Sequence, residues 1–318
     1  MSRRLLHVVL TVCCALALSS AARAAPLTLR IADQKGNMRA QLEAAGALQH
    51  LPYRIEWSEF PAAAPLAEAL NAGAVDAGII GDAPLLFALA AGAPLKAIAV
   101  DRSDPYGTAL LVRQDSTLQG AASLKGKRIA TGKGSIGHFV ALKALQQAGL
   151  SAADVQFRFL SPADARTALS RGVVDVWSTW EPYTALAETV DHARVLVNGR
   201  GLWAGNSFLA ATDSALADPA RRRALQDYLT RLAAAQRWAY QHLDSYARSL
   251  ARIIGFPEPV ARLQFARRRL QWQAIDDATI AAQQQSADFY RAAGLIARAV
   301  PVQGTFERGF HVDAAGAR

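Results

Sequence analysis

The sequence predicts an α/β protein of two lobes, with mostly parallel sheets and a ligand cleft between them. Three observations predict it. Strand and helix patterns alternate from Leu27 to about Thr179, the signature of parallel strands joined by crossover helices. One stretch of that alternation returns: ALNAGAVD at Ala69–Asp76 matches ALSRGVVD at Ala168–Asp175, and Asp82 then has Glu181 as its counterpart at the same offset. After Asp218 the pattern becomes helical, a tail that must pack on one lobe, most economically the first.

The first residues are read as a signal for export. Arg3 and Arg4 precede an apolar run from Leu5 to Leu18, and Ala22-Arg23-Ala24 forms an A-x-A cleavage site. The run is too short to span a bilayer, so residues 1–24 are expected to be removed, leaving 318 − 24 = 294 in the periplasm. Cys13 and Cys14, the only cysteines, fall inside it, which leaves the mature chain no disulfide and no cysteine metal site. Net charge is +9 and falls to +6 with Arg3, Arg4 and Arg23 gone. For an exported protein that argues against nucleic acid and favours small anionic ligands, although much of the excess is arginine on solvated faces of the helical tail.

Each element has its own signal. Leu27–Ile31 alternates as a strand and enters the turn Asp33-Gln34-Lys35-Gly36-Asn37, with a helix to about Gln49. Tyr53–Trp57 is the next strand, Pro65–Asn71 a helix stopped by Gly73, and Val75–Ile80 a strand ending at Gly81-Asp82. Pro84–Ala91 reads as a helix, then Lys96–Val100 and Thr108–Val112 as strands. The second set is strand Arg128–Ala130, helix Phe139–Ala148, strand Val155–Leu160, helix Ala163–Ser170 and strand Val173–Thr179. Val195–Val197 and Ser207–Ala211 follow as strands. Helices are expected over Asp218–Ile254, Pro257–Leu270 and Asp276–Ala293, with Gly255 and Gly294 as stops. Lobe 1 then holds residues 25–110 and 209–318, lobe 2 holds 111–208, and Thr108–Val112 and Ser207–Ala211 are the two crossings.

The stretch with the most chemistry is GKGSIG, Gly132–Gly137, where a strand turns into a helix. Unpaired N–H groups at a helix start favour negative charge. Spacing removes the nucleotide readings. A dinucleotide fold needs an acidic residue at the end of the next strand, and Asp154 instead precedes it. A P-loop needs four residues between its glycines, not the five after Gly126, and a Ser or Thr where Gly134 stands. Ser135 fails as a G-x-S-x-G nucleophile because position 133 is lysine. The histidines show no zinc spacing, so no metal, cofactor or catalytic constellation is expected.

Several of these segments together resemble a known family. QKGN at Gln34–Asn37, EFPAAAPLAEALNAGAVDAGIIGDAPLLFALAAGAPL from Glu59 to Leu95, LKGKRIATGKGS from Leu124 to Ser135, SPADARTALSRGVVDVWSTWEPY from Ser161 to Tyr183 and QQQSADF near Gln283 are similar to the aliphatic-sulfonate-binding proteins of ABC importers, in the sulfonate, taurine and nitrate branch. The resemblance implies a two-lobed periplasmic binding protein of type II that hands a small anion to a transmembrane permease, without a cofactor and as a monomer. Its site would be lined by Gln34, Lys35, Gly36, Asn37, Gly81, Asp82, Lys133, Gly134, Ser135, Trp180, Glu181 and Pro182, with Ile136, Trp203 and Asn206 beside them. Ile136 and Gly137 stand where the family commonly has small polar residues, and Trp180-Glu181-Pro182 where it often has WDP.

For a sulfonate, which stays charged at physiological pH, the expected donors are the N–H groups of Gly134 to Ile136 and the Ser135 hydroxyl. Lys35 or Lys133 could add charge or be solvated. Asp82 and Glu181 are expected to hold loop N–H groups or a ligand amine, and Trp180, Trp203 and Phe208 to wall an organic tail. Trp203 could equally be ordinary loop packing, while Trp177, on the opposite strand face from Trp180, belongs in the core. The alternatives are another small ligand (taurine, nitrate, a sulfate ester, a thiamine-precursor pyrimidine) or an exported enzyme with Asp82, Glu181 and His138 as its only candidate groups.

Overall fold

The computed structural model describes residues 26–312, and the expected signal peptide lies outside the described residues. The first sheet contains β1 (Thr28–Gln34), β2 (Arg54–Phe60), β3 (Ala77–Gly81) and β4 (Leu95–Arg102). The second contains β5 (Ala109–Val112), β6 (Arg128–Thr131), β7 (Gln156–Phe159), β8 (Val176–Thr179) and β9 (Arg194–Asn198). The chain then returns to the first sheet with β10 (Asn206–Thr212) and β11 (Gln271–Gln273). Helices α1 (Asn37–Ala44), α2 (Ala63–Asn71) and α3 (Asp82–Ala90) follow β1 to β3, and α4 (Ile136–Gln147), α5 (Pro162–Ser170) and α6 (Tyr183–Val190) follow β6 to β8. The tail is α7 (Asp213–Ala217), α8 (Pro219–Gln241), α9 (Leu243–Ile254), α10 (Glu258–Arg268) and α11 (Asp277–Ala292).

Strand order is β11-β4-β10-β3-β1-β2 in one sheet and β7-β6-β8-β5-β9 in the other. Apart from β11 the two orders are the same, with β1 matching β6 and β3 matching β8. In each, three parallel strands meet an antiparallel strand, β10 or β5, that has arrived from the other lobe. The sheets are therefore mixed, because a strand entering from the neighbouring lobe starts at the opposite end. The crossings also differ from expectation. β5 lies wholly in the second sheet and β10 wholly in the first, so the chain passes between them in the connectors 103–108 and 199–205.

The internal repeat has a physical counterpart. Arg30 on β1 donates its backbone N–H to Asp76 Oδ2 at 2.8 Å and its guanidinium to Oδ1 at 2.6 Å. Arg128 on β6 does the same to Asp175 at 2.8 and 2.7 Å. Each aspartate thus fixes the register of a strand against the one whose carboxyl end carries site residues.

The tail is less confined than its sequence suggests. α8 covers the first sheet, with Leu225, Tyr228, Leu229 and Leu232 against Leu29, Ile31 and Met38. α9 seats Tyr246, Leu250 and Ile254 around Ala40. Beyond these, α10 places Val260 against Ala185 and Leu186 of α6, and Phe289 of α11 meets Phe139 of α4 at 5.3 Å. The tail packs on both lobes. The expected single run from Asp218 to Ile254 breaks at His242, which leaves helical dihedrals (φ −127°, ψ 47°). The short α6 and α7 and the edge strand β11 were not expected.

Candidate functional site

The carboxyl ends of β1, β3, β6 and β8 open on one cavity of about 740 Å³. Of the expected residues, Gln34, Lys35, Asn37, Gly81, Lys133, Gly134, Ser135, Ile136, Trp180, Glu181, Pro182 and Trp203 line it, whereas Gly36, Asp82 and Asn206 do not. Gly36 turns its α-carbon to the tail: a Cβ there would lie 2.1 Å from Ile253 Cγ2. Asn206 is buried at the start of β10. Phe208, expected as a wall, sits in the core against Phe306, and Trp177 is buried as expected.

The turn at Gly132–Gly137 is built for a close approach. Ser135 caps α4, its Oγ accepting from His138 N–H at 3.1 Å. Gly134, at φ +71°, donates to His138 Nδ1 at 3.3 Å, and Ser135 N–H reaches Gly132 O at 3.1 Å. Two of the three expected amide donors, those of Gly134 and Ser135, are therefore spent inside the turn. Among the described residues the amides of Ile136 and Gly137 have no acceptor, so the open donors sit one step deeper into the helix start. Gly137 permits this: a Cβ would lie 2.7 Å from Ser178 O, and the Ser178 hydroxyl donates to Gly137 O at 2.6 Å. His138 is buried beside Phe157 and Phe159; burial, aided by the Lys133 charge, lowers its pKa to about 4. It is neutral at ordinary pH and acts as a brace for the turn.

The two acidic residues hold protein groups. Asp82 accepts from the Trp203 indole at 2.6 Å and from Ala83 N–H at 2.6 Å, and Gln283 of α11 donates to its carbonyl at 2.9 Å. Burial raises the Asp82 pKa to about 7, against the pull of the Trp203 hydrogen bond. Trp203 is thus a fixed wall of the cavity, and Gln283 steadies it from behind. Glu181, joined to Pro182 by a cis peptide bond, accepts from Ala185 N–H at 3.0 Å and is ion-paired with Arg267 of α10, which also reaches Glu188 at 2.6 Å. Burial raises the Glu181 pKa and Arg267 opposes the rise. A Cβ on Gly107 would lie 2.5 Å from Glu181, so that glycine lets the first connector run beneath the carboxylate.

The sequence reading placed no site residue beyond Phe208, yet the tail forms a wall of the cavity with Leu250, Ile254, Phe256, Gln264 and Arg268. Phe256 meets Tyr183 of α6 at 6.0 Å, and Tyr183 donates its hydroxyl to Pro61 O at 2.8 Å across the cleft. Lys35 lies 5.3 Å over the Phe256 ring and Lys133 5.9 Å over Phe159. The signal that could have found this wall is Gly255-Phe256-Pro257, an aromatic between two chain-turning residues. The described residues include no cluster able to hold a metal ion and no helix long and apolar enough to cross a membrane.

A family model described as the periplasmic substrate-binding protein of a phosphonate ABC transporter matches residues 49–256, more than half of the chain. A protein of Escherichia coli K12 named for aliphatic sulfonate binding is 36% identical over 288 residues, 89% of each chain. The alkanesulfonate-binding protein SsuA of Xanthomonas axonopodis pv. citri, solved bound to MOPS, is 35% identical with a TM-score of 0.82, over 90% of this chain and all of that one. The periplasmic aliphatic sulphonate binding protein SsuA of E. coli is 32% identical with a TM-score of 0.81, over 92% and 96%. The desulfurization enzyme DSZB, at 17% identity and a TM-score of 0.62, shares the fold alone. With its two-lobed architecture, its open helix start and relatives of this identity over nearly its whole length, the chain belongs to the aliphatic-sulfonate-binding proteins, periplasmic substrate-binding components of ABC importers.

Proposed function

We propose that this protein captures an organic sulfonate in the periplasm and delivers it to the permease of an ABC importer, and that the sulfonate sits on the start of α4. What supports the placement is the open amide of Ile136 beside the Ser135 hydroxyl, both on residues that line the cavity, with the open amide of Gly137 next to them inside the helix start. A sulfonate needs donors only, and hydrogen bonds to a charged group contribute roughly 1.5 to 3 kcal/mol each. The helix dipole adds to them. Asp82 and Glu181 do not repel the anion, because one is engaged by Trp203 and the other paired with Arg267.

The same arrangement argues for binding without chemistry. His138 lacks basicity, Ser135 has no base in reach other than its capping partner, and both carboxylates are committed. The test is calorimetry with an alkanesulfonate. Ser135→Ala should weaken binding by about 1 to 3 kcal/mol and cost about 1 kcal/mol of stability through loss of the cap. Unchanged affinity would remove the sulfonate from this helix start, and a chemically altered ligand after long incubation would make the protein an enzyme.

A further inference from the structure

The end of the cavity formed by the tail is made differently from its anion-facing end. There Phe256 stands with Leu250 and Ile254 of α9, and the cavity as a whole is rich in aromatic surface, with Phe159, Trp180 and Tyr183 also lining it. A volume of about 740 Å³ falls within the range that encloses a drug-sized ligand. A two-carbon aminosulfonate would leave most of that surface without a partner.

In the part of the wall that the tail supplies stands one uncharged polar side chain with no hydrogen bond to the protein. Gln264, on α10, is only 3% exposed and lines the cavity. Among the described residues its amide makes no hydrogen bond, although the other buried glutamine amides of the tail, Gln236 and Gln283, are bonded at 3.0 and 2.9 Å. An amide that opens only on the cavity must be satisfied by whatever fills it, so a ligand that replaces its water with a hydrogen bond is favoured over one that does not. One helical turn on, Arg268 also lines the cavity, near enough to Asp101 and Glu181 to favour both carboxylates. Gln264 itself is uncharged, with an amide that can both donate and accept, so the group it suits is a neutral hydrogen-bonding one.

We propose that Gln264 reads the end of the ligand remote from the sulfonate, so that the preferred ligands are sulfonates with an apolar or aromatic body and a neutral hydrogen-bonding group, such as a hydroxyl or ether, at its far end. The α9–α10 hairpin is then a specificity wall supplied by the tail. This rests on the placement of the sulfonate at α4, which the experiment checks separately.

The experiment is calorimetry on the full mature chain with two matched series, alkane-1-sulfonates and ω-hydroxyalkane-1-sulfonates of two to eight carbons. In the wild type the hydroxyl should raise affinity about tenfold at one intermediate chain length and have no effect at two carbons. Gln264→Leu should abolish that gain and leave the plain alkanesulfonates within threefold of the wild type. Gln264→Asn, which keeps an amide on a shorter arm, should restore the gain at a longer chain. Ser135→Ala should weaken both series by the same factor. No hydroxyl effect at any length, or an equal loss of both series in Gln264→Leu, overturns the role of Gln264 while the sulfonate placement stands. Failure of both series to bind the wild type, or their indifference to Ser135→Ala, overturns the placement and this inference with it.

Discussion

The two lobes carry the same turn, used in opposite ways. RIADQKGN at Arg30–Asn37 and RIATGKGS at Arg128–Ser135 superpose residue for residue in sequence, each following the arginine paired with Asp76 or Asp175. At the fourth position lobe 1 has Asp33 and lobe 2 has Thr131. Asp33 is fully buried and accepts from the amides of Gln34, Met38 and Arg39 at 2.8, 3.2 and 2.8 Å. Met38 and Arg39 correspond to Ile136 and Gly137, the two open amides of lobe 2. Lobe 1 therefore closes its helix start with an acidic side chain of its own, and lobe 2 leaves the equivalent amides open. With the sulfonate placed as proposed, the residue type at this one position would decide which lobe binds.

The largest effect should come from removing the internal acceptor. Asp33→Ala leaves three amides without an acceptor, at about 1 kcal/mol or more each, so urea unfolding should show a loss of about 3 kcal/mol or more. Thr131→Ala, its counterpart, should cost about 1 kcal/mol or less. Equal losses in the two variants would dissolve the comparison.

A second contrast lies in pH. Burial raises the Asp33 pKa to about 7 from an ordinary 3.8. The folded state then holds a proton that the unfolded chain has released, so Asp33 favours folding fully below pH 4, and that stability is lost as pH rises toward 7. Asp33→Asn has no such titration. Its stability relative to the wild type should therefore improve by about 2 to 4 kcal/mol between pH 4 and pH 8, measured as the difference between two denaturation series. A flat difference would show that Asp33 stays ionised throughout.

The smallest effect separates the two arginine pairs. Arg30→Met strands Asp76, which is 1% exposed, although Arg221 at 3.7 Å remains as a partial partner. After discount for the half-exposed guanidinium, a loss of about 1 kcal/mol is expected. Arg128→Met leaves Asp175 more open to water and should shift the unfolding midpoint less. A larger shift for Arg128→Met would reverse the ranking.

Most of the fold and the strand-end loops could be read from the chain because alternation, glycine stops and the turn at Gly132–Gly137 are local signals. The pairing of the two turns was also present in the sequence, but its decisive residue, Asp33, does not declare whether its carboxylate points into the cleft or back onto its own helix. The tail was opaque for a different reason. An amphipathic helix reveals which face is buried and not which lobe buries it, so Val260 against α6 and Gln264 in the cavity could not be assigned. β11 escaped notice because three residues, Gln271-Trp272-Gln273, follow Arg269 in the left-handed region at φ +48°, where no glycine marks the turn.

The two connectors between the lobes are tied to each other along their length. Ser103 donates its N–H and its hydroxyl to Gly205 O at 2.9 and 2.8 Å, and a Cβ on Gly205 would lie 2.0 Å from Ser103 O. Asp104 pairs with Arg200 at 2.5 Å, and the Tyr106 ring lies beneath the guanidinium groups of both Arg200 and Arg267. Two separate strings would let the halves twist, slide and splay independently. Laced together they form a single seam like the spine of a book, which resists shear and keeps the strand ends on its two sides in one alignment.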